Sequence, residues 1–265
     1  MRTKIHNRPR QSPIPSILSQ LSKKTCSWFN GKTAFLFLLI SLSAVSAIAE
    51  NTPSGSKYGG QLVLASTSDP KSFNAIIAKE TSTTAITNHI FEGLTRTNGV
   101  TLLVEPNLAE SWEVSKDGLQ WIFHLRRDVQ WSDGKPFTAG DVVFTFNELI
   151  FNEDIPTSAR DSFTIEGKPF IVEKTDDFTV RFTLPFKFAP FLKAMGQEIL
   201  PEHKLKDVVK AGQFNFTWGI DSKPEEIVGT GPFKLSRYMP GERVVLVRNP
   251  GYWRTTKDGD RLPYL

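Results

Sequence analysis

The residues able to do covalent or metal chemistry are few, and their spacing does not suit it. The four histidines are His6, His89, His124 and His203. No two lie three to five residues apart, so no helix face carries a metal-binding pair. The single cysteine, Cys26, excludes an intramolecular disulfide and any CxxC metal site. There is no GxSxG turn, no Walker loop and no GxGxxG fingerprint. Gly229-Thr230-Gly231-Pro232 has the look of a phosphate loop. However, Pro232 removes an N–H that a phosphate would use, and a strand pattern follows where a helix N-terminus is needed. It reads as a structural turn. Asp176-Asp177 are adjacent at a hairpin tip and point apart, and Asp258-Gly259-Asp260 lacks the other ligands of a calcium loop. His124, beside Arg126 in a strand, and His203, in Pro201-Glu202-His203-Lys204, read as structural or solvated side chains. No catalytic residue, metal or cofactor is implied; an exported hydrolase is the remote alternative.

The elements that would position a site alternate strand and helix signals without a regular βα repeat, so the fold class is mixed α+β or irregular α/β. Leu62 to Ala65 reads as a short buried strand. Thr81 to Phe91 reads as a short helix with Ile86 and Ile90 on one face and Gly93 as its C-cap. Leu94 to Thr97 reads as a strand, followed by the Asn98-Gly99 turn. In Trp121 to Arg126, every second residue is large and apolar, which predicts a hairpin with Trp112 to Val114. Thr138 and Asp141 have capping-box spacing, with Asp in place of Glu. Val142, Phe146, Leu149 and Ile150 continue that helix. Two more hairpins are predicted, across Asp176-Asp177 and Pro240-Gly241, and a short apolar helix over Pro190 to Met195. No internal repeat is present.

Charge is distributed unevenly. Seven of the 32 basic residues and none of the 28 acidic ones fall in residues 1–49, leaving 25 basic against 28 acidic, a net of −3, in the rest. The +4 of the whole chain therefore belongs to a leader, and the mildly acidic body offers nucleic acid no partner. Ala34 to Ala49 is an uncharged, mostly apolar run preceded by Lys23, Lys24 and Lys32. Ala47-Ile48-Ala49 before Glu50 is a small-x-small cleavage site, so 1–49 reads as a signal peptide or an uncleaved anchor, and 50–57 as an exit linker. Either way the body is sent to the extracytoplasmic side. Cys26 precedes the apolar run and reads as a spectator.

The stretch Glu105 to Val143, EPNLAESWEVSKDGLQWIFHLRRDVQWSDGKPFTAGDVV, resembles the first-lobe signature of the family 5 extracytoplasmic solute-binding proteins. These are the peptide, dipeptide and nickel receptors of ABC importers. Four further segments resemble the family in the same order: Phe91-Glu92-Gly93-Leu94, Gly229-Thr230-Gly231-Pro232-Phe233-Lys234-Leu235, Arg248-Asn249-Pro250-Gly251-Tyr252-Trp253 and Leu262-Pro263-Tyr264-Leu265. The likeness runs from about residue 58 to the end.

The resemblance implies lobe one of a type II periplasmic-binding-protein fold, a Venus flytrap that closes on its ligand by hinge motion. It implies a discontinuous core subdomain (58–97 with 223–265), an inserted subdomain (98–222), and a second lobe not represented in the chain. It implies a monomeric, non-enzymatic receptor in the periplasm that captures di- or oligopeptides for membrane permease subunits of an ABC importer. The ligand edge would be Lys79-Glu80-Thr81-Ser82, with a second contact on the loop 156–160 through Ser158 and Arg160. Glu80 would meet a peptide amine and Arg160 a carboxylate. A lobe-only chain without ligand, or a receptor for nickel complexes or sugars, are the alternatives.

Overall fold

Twenty of the residues are phenylalanine, and their packing determines how the elements meet. The computed structural model describes residues 57–265; the leader, its cleavage residues and all but the end of the linker lie outside that range. The described chain runs α1 (Thr81–Thr87), β1 (Thr95–Thr97), β2 (Val104–Pro106), β3 (Ala109–Val114), β4 (Gln120–Leu125) and α2 (Ala139–Phe144), the last continued by a π-helical stretch Thr145–Ile150. Then come α3 (Ala159–Ser162), β5 (Thr164–Ile165), β6 (Lys168–Pro169), β7 (Ile171–Asp176), β8 (Thr179–Thr183), α4 (Phe191–Ala194), α5 (Glu202–Lys210), β9 (Phe233–Met239) and β10 (Arg243–Arg248).

The main sheet is antiparallel in the order β3-β4-β8-β7. Its inner face carries Phe123, Leu125, Val180 and Phe182, all fully buried. Phe123, Phe146 and Phe191 each pack against Phe182 with ring centres 5.5, 5.1 and 5.7 Å away, in edge-to-face geometry. Each such pair adds roughly 0.5–1.5 kcal/mol beyond area burial. The outer face is polar, with Glu113 paired to His124 and Glu173 to Arg181.

α2 forms where predicted because its first turn is capped from both sides. Thr138 Oγ1 accepts from Gly140 N at 3.2 Å, and the Asp141 carboxylate accepts from Thr138 N at 2.9 Å. Asp141 is buried and also accepts from Glu202 N at 3.0 Å and Trp131 Nε1 at 3.3 Å. One carboxylate thus serves the N-termini of α2 and α5. Burial pushes its pKa up, opposed by these N–H donors. The π-helical stretch begins at Thr145, whose hydroxyl donates to Asp141 O at 2.8 Å and accepts from Leu200 N at 3.0 Å. A side chain bonded into the ladder at this point widens it.

The three predicted hairpins, the capped helix and the short apolar helix are all present. Two local expectations fail. Leu62 to Ala65 is neither strand nor buried, with Leu62, Val63 and Leu64 between 65% and 79% exposed. An apolar run becomes a strand only beside a ladder partner, and among the described residues none lies next to it. Gly93 is not a cap: α1 ends six residues earlier, at Thr87, with Asn88 following it. Gly93 is needed because a Cβ there would sit 2.5 Å from the backbone of Gly196.

Gly229-Thr230-Gly231-Pro232 is a structural turn, as its proline implies. Gly231 N donates to Ile90 O at 2.8 Å, and a Cβ on Gly229 would lie 1.9 Å from that same oxygen. Gly241, at the β9–β10 tip, has φ 71° and open space around it. Gly229→Ala will therefore cost roughly 3 kcal/mol or more, because backbone must separate, whereas Gly241→Ala will cost about 1 kcal/mol of backbone strain. Urea denaturation of the two variants measures the contrast, and equal losses would show that the 89–90 and 229–231 segments are not in close contact.

Candidate functional site

The predicted ligand edge is the segment leading into α1. Glu80 has extended backbone (φ −69°, ψ 153°) at the N-cap position. Its carboxylate accepts from Thr83 Oγ1 at 2.6 Å, and Thr83 in turn accepts from Lys71 N at 3.1 Å. The Thr83 hydroxyl holds the Glu80 carboxyl below the usual carboxylate range. Thr81 is exposed and Ser82 half-buried. Lys79 Nζ is 2.8 Å from Glu198 Oε2, which also accepts from Gln197 Nε2 at 2.9 Å. The edge therefore presents an anionic group, hydroxyls and extended backbone, while the ammonium beside it is already paired.

The second predicted segment is tied to the chain just before that edge, at Ile76. Thr157 is buried, and its hydroxyl donates to Ile76 O at 2.7 Å across 81 positions of sequence. Ala159 N caps back onto Thr157 Oγ1 at 3.1 Å, leaving Ser158 exposed. Arg160 is turned inward: its Nε donates to Ile150 O at 2.9 Å and its Nη2 to Asn152 O and to Ile155 O, the latter at 2.7 Å. The edge is fixed from behind by Asn74, whose Nδ2 donates to Thr217 O at 3.2 Å and whose Oδ1 accepts from Ile76 N at 3.1 Å. Sequence reasoning missed Asn74, Gln197 and Glu198, and it placed Thr157 in the contact loop without its bond to Ile76. Each acts through a partner more than sixty residues away or through a neighbour in this cluster, and no local pattern announces that.

After α1 lies a second, ionic cluster. Glu92 follows α1, and its carboxylate accepts from Tyr252 Oη at 2.9 Å and Trp253 Nε1 at 3.0 Å. Burial raises its pKa, opposed by these two donors and by Arg254. Arg254 Nη2 donates to Asn107 Oδ1, Asn107 Nδ2 donates to Gly93 O at 3.0 Å, and Arg126 Nε donates to Asn107 O at 2.8 Å. The Arg126 and Arg254 guanidinium groups sit 4.5 and 4.6 Å from the Trp253 ring centre. Burial and the Glu92 charge push the Tyr252 phenol well up, so it stays a hydrogen-bond donor.

Elsewhere, a groove of about 250 Å³ between α2, β7 and α5 is floored by Val143, Phe144 and Val209. It contains none of the predicted site residues. His203 pairs with Asp133 at 2.8 Å and His124 with Glu113 at 3.2 Å. Among the described residues no three His, Cys, Asp or Glu side chains converge as metal ligands, and no helix is long and apolar enough to cross a membrane.

Mixed α/β structure, with antiparallel sheets packed against short helices, is the fold of the type II periplasmic-binding-protein class. Residues 104–265 match the family described as bacterial extracellular solute-binding proteins, family 5 (middle), and the chain belongs to that family, whose members bind solutes and are not enzymes. It is 32% identical over 250 residues to the dipeptide-binding protein of Escherichia coli K12, covering 88% of this chain and 44% of that one. It is 31% identical over 222 residues to a probable ABC transporter-binding protein of Deinococcus radiodurans, covering 81% and 37%. It superposes on the oligopeptide-binding protein AppA of Bacillus subtilis, solved with a nonapeptide, with TM-score 0.65 at 30% identity over 74% of this chain and 37% of that one. The chain thus spans less than half the length of these relatives.

The Glu92 cluster yields a pH test with a definite sign. A carboxyl whose folded pKa is raised binds its proton more tightly in the fold, so its contribution to stability grows as pH falls through the raised pKa. Between pH 7 and the ordinary carboxylate range, wild-type stability will therefore improve relative to Glu92→Gln, which cannot titrate. Urea denaturation at stepped pH reads that difference; a difference that stays flat or runs the other way would refute the assignment.

Proposed function

We propose that this chain forms one wall of a receptor that captures di- or oligopeptides outside the cytoplasmic membrane and hands them to the permease subunits of an ABC importer. The observation that supports this reading is the Thr157–Ile76 hydrogen bond, which ties the 156–160 loop to the chain three residues before the 79–82 edge. Peptide binding by the Escherichia coli and Bacillus subtilis relatives supports the ligand class.

On this reading an extended peptide lies along the backbone of Lys79–Ser82, as a strand adds to a sheet edge. Glu80, kept ionised by Thr83, meets the peptide amine. Thr81, Ser82 and Ser158 offer hydroxyls to the backbone or to water between them. Lys79, paired with Glu198, positions the edge. Arg160 serves as the brace of its loop, since its Nε and Nη2 are committed to carbonyls. The second lobe of the complete receptor supplies the opposite wall, and the receptor acts as a monomer in the periplasm, delivered there by the 1–49 leader. We also assign residues 58–97 with 223–265 to a core subdomain and 98–222 to an insert. The hydrogen bonds from 231 and 233 back to 89–90 support that division.

Thermal-shift measurements on the chain test the reading. Free-amine di- and tripeptides at millimolar concentration will raise Tm, by an amount equivalent to about 1.4 kcal/mol at tenfold excess over Kd. N-acetylated peptides and Glu80→Gln will reduce the shift. Stabilisation by nickel–histidine or an oligosaccharide in place of peptides would replace the ligand class.

A further inference from the structure

The β1–β2 hairpin ends in the loop Asn98-Gly99-Val100-Thr101-Leu102-Leu103. Its three aliphatic side chains stand in solvent: Val100 is 92%, Leu102 75% and Leu103 66% exposed. No charged residue occurs between Arg96 and Glu105, and those two neutralise each other at 3.0 Å. The loop is internally satisfied. Val100 N and Thr101 N donate to Asn98 Oδ1 at 2.8 and 2.9 Å, Leu102 N to Asn98 O at 3.0 Å, and Leu103 N to Thr101 Oγ1 at 3.4 Å. Asn98 is itself held by Glu105 Oε1 at 2.6 Å. Leu102 is kept at φ 60°, a conformation aliphatic residues avoid. The base is fixed to the body through Thr95, whose hydroxyl donates to Leu192 O at 2.6 Å.

We propose that this tip is a membrane contact that dips Val100, Leu102 and Leu103 into the acyl boundary of a phospholipid bilayer. Three side chains fall far short of the ~800 Å² per partner that a stable soluble complex uses, which argues against a second copy. Protein hot spots are built from Trp, Tyr and Arg, with Leu and Val scarce, and the tip holds none of the favoured three. Entry into lipid has a different requirement: apolar side chains without charge, and backbone donors already satisfied. The four N–H groups from Val100 to Leu103 meet it. A small apolar tip gives only weak, reversible attachment by itself.

The test uses the full chain with Cys26→Ser and one new labelling site. Gly99→Cys is suitable because a Cβ there meets nothing within 4 Å; Val63→Cys is the control, on a residue 79% exposed elsewhere. Each variant carries an environment-sensitive NBD label and is mixed with zwitterionic phosphatidylcholine vesicles. The label at 99 will shift its emission to the blue and be quenched by brominated lipid, while the label at 63 stays aqueous. Adding Val100→Ser, Leu102→Asn and Leu103→Ser will abolish the shift; Asn tolerates the left-handed backbone. An aqueous label at 99, or a shift that survives the triple change, overturns the proposal. A blue shift that grows with protein concentration without vesicles would instead make the tip a self-association surface and also overturns it.

Discussion

The Glu92 carboxylate is a largely buried charge, and much of the fold is arranged to keep it satisfied. Left alone, such a group would destabilise the chain by several kcal/mol. It is not left alone. Tyr252 and Trp253 arrive from 160 residues further on and donate to both oxygens. Arg254 lies next in sequence, bonds to Asn107, and with Arg126 covers the Trp253 ring. Asn107 closes the circuit on Gly93 O, one residue from Glu92. Four segments that look unrelated in sequence are therefore one cluster: 91–94, 105–109, 126 and 249–254. Their hydrogen bonds are mutual, so altering one segment strands polar groups in the others.

Close backbone approach completes what this cluster begins. Gly231 N and Phe233 N both reach back to the turn after α1, and Asn249 Nδ2 donates to Gly231 O at 2.9 Å. Gly93 faces Gly196 with no room for a side chain. Asp141 plays a similar part at the start of α2, where one buried carboxylate caps two helices and receives the Trp131 indole. Both carboxylates resist ionisation through burial and are held by N–H and O–H donors. Rigidity here comes from few, well-satisfied polar centres set within a phenylalanine-rich core.

What could be read from sequence follows from the range of each interaction. The hairpins and the Thr138 cap are local, decided by alternation or by a spacing of three, and the structure shows them. Leu62 to Ala65 carried the composition of a strand, but pairing is a property of two segments and composition describes one. Gly93 followed a helix and so suggested a cap. Its real constraint, contact with Gly196, lies a hundred residues away and leaves no local trace. The same holds at the site. Residues 79–82 and 156–160 were reachable through family resemblance alone. Thr157 on Ile76, and Glu198 on Lys79, are long-range pairs that no periodicity encodes. Arg160 shows the converse: a cation in a loop suggests a ligand, yet carbonyls packed around it also need donors.

The division between rigid centre and open edge suits the proposed function. A receptor that recognises peptide backbone needs extended main chain and scattered hydroxyls, not a nucleophile paired with a base. The edge has that character, and its electrostatics follow from partners already named. Glu198 takes up the Lys79 charge, while Glu80 has a neutral hydroxyl, not a cation, as its hydrogen-bonding partner. A hydroxyl stabilises the carboxylate without forming an ion pair, and the Lys71 charge acts on it only secondarily. Glu80 therefore stays ionised where an extended ligand would begin, and an ammonium group suits that position where a carboxylate does not. On the proposed function this sets ligand polarity: the amine end lies at Glu80, and the carboxylate end must be met beyond this wall.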